Sequence, residues 1–200
     1  MPKDPNLTTR LGGWLFRHRT SLPGPVAVAI AVLPGSDSVS PFLVGAGVAI
    51  TIVAELIRLW GVHHIGAISR TRSERLGPLV ATGPFALVRN PLYVGNILLW
   101  VGFAIAARML WLAPIILVLL TLEYHAIVRW EETLLEVRLG QPYREYAARV
   151  PRWIPSFNRG DRGLRRAAEG FSWRATLFSE RGTLIAIAAG YLLLWLKAQV

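Results

Sequence analysis

The 200-residue chain contains no cysteine. Disulfides, thiolate nucleophiles, cysteine zinc sites and iron–sulfur clusters are therefore excluded. Lysine is almost missing: 20 of the 22 basic residues are arginine, set against 12 acidic ones, for a net charge of +10. Charged residues make up only 17% of the chain, where a soluble domain carries about 25%. Hydrophobic residues make up 53% and mean hydropathy is +0.42, which excludes intrinsic disorder. An ordinary cytosolic domain does not combine these features. An integral membrane protein with basic loops does, and its positive charge then faces a membrane surface rather than nucleic acid. Richness in arginine, alanine and glycine points to a GC-rich genome and so to a bacterial inner membrane.

Five apolar runs occur, at 22–33, 42–60, 92–107, 110–128 and 183–196. They predict an all-α, polytopic integral membrane protein with about five transmembrane helices. The first run, bounded by Pro23, Pro25 and Pro34, is short for a crossing of ~20 residues. It could begin near Trp14 with Arg17 snorkelling, or be half-buried. A secretory signal peptide is the rival reading, but no small-x-small cleavage site follows, so a retained span is preferred. In the second run Glu55 and Arg58 stand at i and i+3 and can pair. Only Arg108 and Met109 separate the third and fourth runs, which predicts a tight antiparallel hairpin. With the N-terminus cytoplasmic, 20 of the 22 cations fall on the cytoplasmic side, and only Arg108 and Lys197 fall outside. The chain reads as one domain with a core at 79–155. A stripe of Leu164, Ala168, Phe171, Ala175 and Phe178 marks 161–179 as an amphipathic helix, lying in the membrane interface or on the protein's own cytoplasmic face. The run 183–196 is then an extra C-terminal span.

Soluble-enzyme motifs are missing: there is no nucleotide-binding glycine loop after a strand, no P-loop and no HExxH. Gly45-Ala46-Gly47 lies inside the second span and reads as helix packing. His63 and His64 are adjacent and point apart on a helix, which is poor metal geometry, so no metal site is expected. Two polar clusters flank the hairpin. The first contains Arg89, Asn90, Pro91, Tyr93 and Gly95. Asn90 suits an N-cap and Pro91 the first helical position. A capped helix with interfacial Arg89 and Tyr93 accounts for this cluster, and so does a helix N-terminus that receives an anionic group. The second cluster contains Glu123, Tyr124, His125, Arg129, Glu131 and Glu132. His125, Arg129, Glu132 and Glu136 share one face of a continuing helix, which Gly140 stops. Glu123 is the carboxylate placed deepest in the membrane, where pairing with Arg129 or Arg58 is the simple structural role. A tight hairpin brings both clusters to one end. Their cationic and anionic halves suit a zwitterionic ligand.

At these residues the sequence resembles the isoprenylcysteine carboxyl methyltransferases and phospholipid methyltransferases, a membrane superfamily. Arg89-Asn90-Pro91-Leu92-Tyr93-Val94-Gly95 resembles the family's Arg-His-Pro-x-Tyr-x-Gly motif. Glu131-Glu132, followed by Leu135, Gly140, Tyr143 and Tyr146, resembles its Glu-Glu motif, which Val150 and Ile154-Pro155 continue. Arg58 fits a looser upstream arginine. The resemblance implies S-adenosylmethionine as cofactor, held by Arg89, Asn90, Pro91, Tyr93, Gly95, Glu131, Glu132, Tyr143 and Tyr146, with Arg144 nearby. Asn90 departs from the family histidine and cannot titrate. The implied reaction is methyl transfer to a lipid or lipid-linked acceptor, a phospholipid amine or a prenylcysteine-type carboxylate, at the membrane–cytosol boundary. Catalytic candidates are Arg89, Tyr93, Glu132 and His125. A carboxylate acceptor needs no base and is helped by arginine; an amine acceptor must lose a proton, to Glu132, His125 or a tyrosine. Two other readings stand beside this one: a sterol-reductase-like enzyme using NADPH, and a scaffold or small transporter with no reaction at all.

Overall fold

The computed structural model of the chain describes residues 7–19, 23–66, 79–157 and 172–199. Regular structure among these residues is entirely helical: α1 (Leu7–His18), α2 (Gly24–Val32), α3 (Pro41–Ile65), a 3-10 turn (Gly83–Ala86), α4 (Pro91–Ala106), α5 (Leu112–Leu139), α6 (Gln141–Arg149) and α7 (Trp173–Lys197). Three of them, α3, α5 and α7, are long and apolar enough to cross a membrane. At ~1.5 Å per residue, α2 with 9 residues and α4 with 16 fall short of a ~30 Å hydrocarbon core. Trp14 belongs to α1 and does not extend the first apolar run. The part of the expected amphipathic helix that is described, from Trp173 onward, is the start of α7 and continues into the last apolar run without a break. Leu164, Ala168 and Phe171 lie outside the described residues.

Local chemistry sets the boundaries. Ser40 caps α3 by accepting from the Leu43 amide, with Pro41 in the first turn. Ser172 caps α7 through the Ala175 amide at 3.2 Å. Gly140, at φ +60°, ends α5 and swings the chain directly into α6, a conformation that costs glycine least.

The core lies between α3, α4 and α5, around Ala54, Ile97, Phe103, Ile116, Leu120 and Ile127. Glycines bring α3 and α4 together. A Cβ on Gly102 would meet Thr51 Oγ1 at 2.5 Å and the Gly47 carbonyl at 2.8 Å. Gly47 is thus the packing glycine of the Gly45-Ala46-Gly47 triplet, while a Cβ on Gly45 would meet nothing within 4 Å. α1 packs along the second half of α5, Gly13 lying against Trp130.

α7 is inside-out relative to a soluble helix. Its buried residues are Thr176 and Glu180, while Ile185, Leu192, Leu193, Trp195 and Leu196 are exposed. Large exposed apolar side chains also cover α3 (Phe42, Ile52, Leu56) and α5 (Leu117, Leu119, Leu122). A contiguous apolar exterior around buried polar groups is the signature of a membrane protein.

Two ends of the bundle are distinguishable. At one, the Ser36 amide donates to the Arg108 carbonyl at 3.0 Å, Arg108 reaches Asp37, and Lys197 Nζ donates to the Ile30 and Leu33 carbonyls. At the other, the start of α4 meets the second half of α5, the end of α3 meets the start of α7, and α6 folds back onto residues 79–89.

Candidate active site

α4 and α5 are joined by residues 107–111 and lie side by side in opposite directions. Tyr93, in the first turn of α4, stacks on Tyr124 with centroids 4.7 Å apart and donates to Glu131 Oε1 at 3.0 Å. Arg89, just before α4, donates from Nη1 to Glu132 Oε1 at 2.7 Å. Arg89, Tyr93, Glu131 and Glu132, four of the residues singled out in sequence, therefore meet.

Arg152 completes the cluster. It grips Glu132 as a fork, Nε to Oε1 at 2.9 Å and Nη2 to Oε2 at 2.7 Å. This bidentate geometry is the strong form of an arginine–carboxylate pair. Arg152 was not among the residues expected from sequence. It reaches the site because the loop after α6 pairs with the loop before α4: the Arg89 amide donates to the Pro151 carbonyl and the Ser156 amide to the Leu87 carbonyl, both at 2.9 Å. The available signal was a cation inside the Val150 to Pro155 continuation of the second motif.

Asn90 occupies the N-cap position, but its side chain makes no capping bond. Its Nδ2 donates instead to the Arg152 carbonyl at 3.1 Å, so the expected local cap gives way to a tertiary bond that holds the same loop. Pro91 is buried in the first turn. Gly95 faces α3, where a Cβ would strike Arg58 Cγ at 2.6 Å and the Ala54 carbonyl at 3.1 Å.

α6 supplies Tyr143 and Tyr146, both buried against Ala81 and Val150. Tyr146 donates to the Phe85 carbonyl at 2.8 Å and ties α6 to the 3-10 turn. Burial, reinforced by the Glu132 charge, pushes the Tyr143 hydroxyl up to about 12. Burial likewise raises Tyr146, and the Glu132 hydrogen bond raises Arg152. Arg144 is exposed beside Glu136.

His125 stands apart. Its ring lies over Trp153 at 6.4 Å, and among the described residues no hydrogen bond joins it to Arg89, Glu131 or Glu132. Glu123 pairs with neither Arg129 nor Arg58: its Oε1 is buried with no hydrogen-bond partner among the described residues. Arg58 serves a second cluster. It bonds Glu55 Oε2 at 3.1 Å, Glu180 Oε2 at 2.6 Å, Thr183 Oγ1 at 3.3 Å and the Asn96 carbonyl oxygen. The Glu55–Arg58 pair follows from spacing. Glu180 and Asn96 were not expected, although a lone carboxylate two turns into the last helix was visible in sequence. His63 stacks flat on Trp173 at 4.2 Å, while His64 turns toward Gly83.

The arrangement presents paired carboxylates, Glu132 gripped by two guanidiniums and Glu131 held by the Tyr93 hydroxyl, with one buried donor left over: Arg89 Nε has no hydrogen-bond partner among the described residues. A ligand that brings an ammonium and a carboxylate matches this donor and acceptor set, so the residues present fit the amino-acid moiety of S-adenosylmethionine.

A family profile, phospholipid methyltransferase, matches residues 42–141. The nickel-cobalt-cadmium resistance protein NccN of Alcaligenes xylosoxydans xylosoxydans is 31% identical over 72% of this chain and 68% of its own. The cobalt-zinc-cadmium resistance protein CzcN of Cupriavidus metallidurans is 30% identical over 80% of this chain and 76% of its own. No solved structure matches the chain. The chain belongs to the phospholipid methyltransferase family. The matched region runs from the start of α3 through the first residue of α6, taking in Arg89, Tyr93 and the paired glutamates but neither Arg152 nor α7.

Proposed function

We propose that the protein is an S-adenosylmethionine-dependent integral membrane methyltransferase that acts on a lipophilic acceptor at the membrane–cytosol boundary. The observation that carries this reading is the convergence of Arg89 and Arg152 on Glu132, beside the Tyr93–Glu131 pair. In this reading the chain traverses the bilayer five times, with α3, α5 and α7 as full-length spans and the shorter α2 and α4 crossing where the bilayer thins around them; α4 and α5 form the hairpin and α1 lies along the cytoplasmic boundary. Both cations that a cytoplasmic N-terminus leaves outside, Arg108 and Lys197, stand at the end away from Glu132, and each is met by an acceptor there. The opposite end is the cytoplasmic one, where a soluble cofactor reaches the site.

S-adenosylmethionine supplies an already activated methyl group, so the protein's task is chiefly positioning. Glu131 and Glu132 receive the ammonium. Arg89 turns its spare Nε to the carboxylate. Tyr93 fixes Glu131, and Tyr143 and Tyr146 close the floor from α6. Both oxygens of Glu132 already accept guanidinium bonds, so it suits positioning better than proton transfer. Asn90 holds the loop and takes no proton. An amine acceptor, if that is the substrate, must lose its proton to Glu131, His125 or solvent.

The relatives' names tie them to metal resistance. Among the described residues no three histidine or carboxylate side chains group as metal ligands would. Resistance, carried over to this chain, would act through a methylated membrane component.

Purified protein in lipid nanodiscs, given methyl-labelled cofactor with phosphatidylethanolamine or a prenylated cysteine peptide, tests the reading. Label should enter one of the two, and Arg89→Ala should slow transfer at least a hundredfold. Label in neither, or an Arg89→Ala protein as fast as the wild type, overturns it.

A further inference from the structure

A cavity of about 810 Å³ opens between α2, α4 and α7. Its walls are apolar: Ile30 and Ala31 from α2, Leu99 and Phe103 from α4, Ala186 and Leu193 from α7. The volume falls in the range of sites that enclose a small ligand, ~300–1,000 Å³. α7 lines it from Gly182 to Lys197, a rise of about 22 Å at ~1.5 Å per residue. One leaflet of a ~30 Å hydrocarbon core is ~15 Å deep, so a lipid chain fits lengthwise. Small side chains keep the space open. The α7 lining is small at Gly182, Ala186, Ala189 and Gly190, and Gly190 sits directly on Phe103.

Polar groups lie only at the two ends. Lys197 closes the far end, its ammonium donating to the Ile30 carbonyl of α2 and to the Leu33 carbonyl just past it. Arg58, Asn96 and Thr183 line the near end. That near end lies one turn along α4 from the candidate active site: Asn96 follows by three residues Tyr93, which stacks on Tyr124 and holds Glu131. An acceptor whose tail occupied the cavity would place its head at Arg58 and Asn96, on the side of α4 that leads to Tyr93.

We infer that this cavity is the acceptor's tail site: it takes one extended hydrocarbon chain, acyl or prenyl, with the head group at Arg58 and Asn96. The inference rests on the methyl-transfer reading only for what happens to that head. The α2 and α7 walls of the tail site lie outside the residues that the family profile matches, and the α4 wall lies within them.

The full-length protein in nanodiscs is photolabelled with two probes, phosphatidylethanolamine carrying a diazirine on one acyl chain and farnesylcysteine carrying one on the prenyl chain, and the adducts are mapped by mass spectrometry. The probe that labels identifies the source of the chain. Adducts should concentrate on α7 between Thr183 and Leu194 and on the facing residues of α2. Ala186→Phe together with Ala189→Phe, which fill the space from the lining without touching the α3–α5 core, should cut those adducts at least tenfold and leave cofactor affinity unchanged. Ala186→Leu alone should give a smaller cut of the same kind. Adducts spread evenly over the exposed leucines of α3, α5 and α7, or adducts indifferent to these fillings, overturn the inference. Concentrated adducts from a protein that methylates neither probe would sustain the tail site and overturn the methyl-transfer reading instead. Methyl transfer unaffected by the filled cavity would do the opposite.

Discussion

Glu132 is the residue on which the site turns, since both of its oxygens are held and the two guanidiniums come from separate loops, one before α4 and one after α6. Tyr143 reports on its surroundings. With its hydroxyl raised to about 12, above the ~10 of an unfolded chain, the neutral form is favoured when folded. Its contribution is therefore fully present below pH ~10 and is lost as pH rises toward ~12. Alkaline melts across that window should show the wild type losing stability faster than Tyr143→Phe, with tyrosinate absorbance of Tyr143 appearing late; equal slopes would remove Tyr143 from the buried set. At this scale the sequence was informative where spacing alone decides. Arg89, Tyr93, Glu131 and Glu132 could be grouped because two polar clusters flank one short connection. Arg152 could not, because it arrives through loop-to-loop backbone bonds that leave no periodicity. Asn90 was misread for the same reason: asparagine favours an N-cap locally, and a carbonyl 62 residues away claims its amide.

Among the elements, α3 and α4 are the pair whose contact is tightest, and glycine makes it so. Gly47, Thr51 and Gly102 bring two backbones within reach of each other. Gly102→Leu would press a side chain into Thr51 and the Gly47 carbonyl, and overpacking of this kind costs about 1–3 kcal/mol. It should lower the melting temperature in detergent, whereas Gly45→Leu, on the open side of α3, should not. The helices themselves were legible from hydropathy, serine caps and Gly140. Less legible were their lengths at the margins. Pro23 at the N-cap and Pro34 just after the extended Leu33 bound α2 at 9 residues, and the stretch read as separate amphipathic and spanning segments has Trp173 to Lys197 as one helix. Composition marks such stretches as apolar, but the side chains they meet set where each helix begins. Glu180 shows this, buried at 2% exposure against Arg58 in a helix whose apolar residues face outward.

For the whole molecule, the opening oddity of an apolar chain with +10 net charge becomes a statement about two ends. Three helices are long and apolar enough to cross, and the contacts sort the loops into one end with Asp37, Arg108 and Lys197 and another with the arginine–glutamate cluster. Absence of cysteine makes the orientation directly testable, since any introduced thiol is the only one. In intact bacterial cells, Ser36→Cys should react with a membrane-impermeant maleimide, while Thr133→Cys should react only after the cells are opened; the reverse pattern would invert the proposed topology.

The central claim is that Glu131, Glu132 and Arg89 bind the amino-acid end of S-adenosylmethionine. Equilibrium titration of the purified protein with that cofactor, for the wild type, Arg89→Ala and Glu132→Gln, tests it most directly. Saturable binding by the wild type, weakened at least tenfold (about 1.4 kcal/mol) in each variant while both remain folded, is the predicted result. Binding that is absent in the wild type, or equally tight in all three proteins, would contradict it.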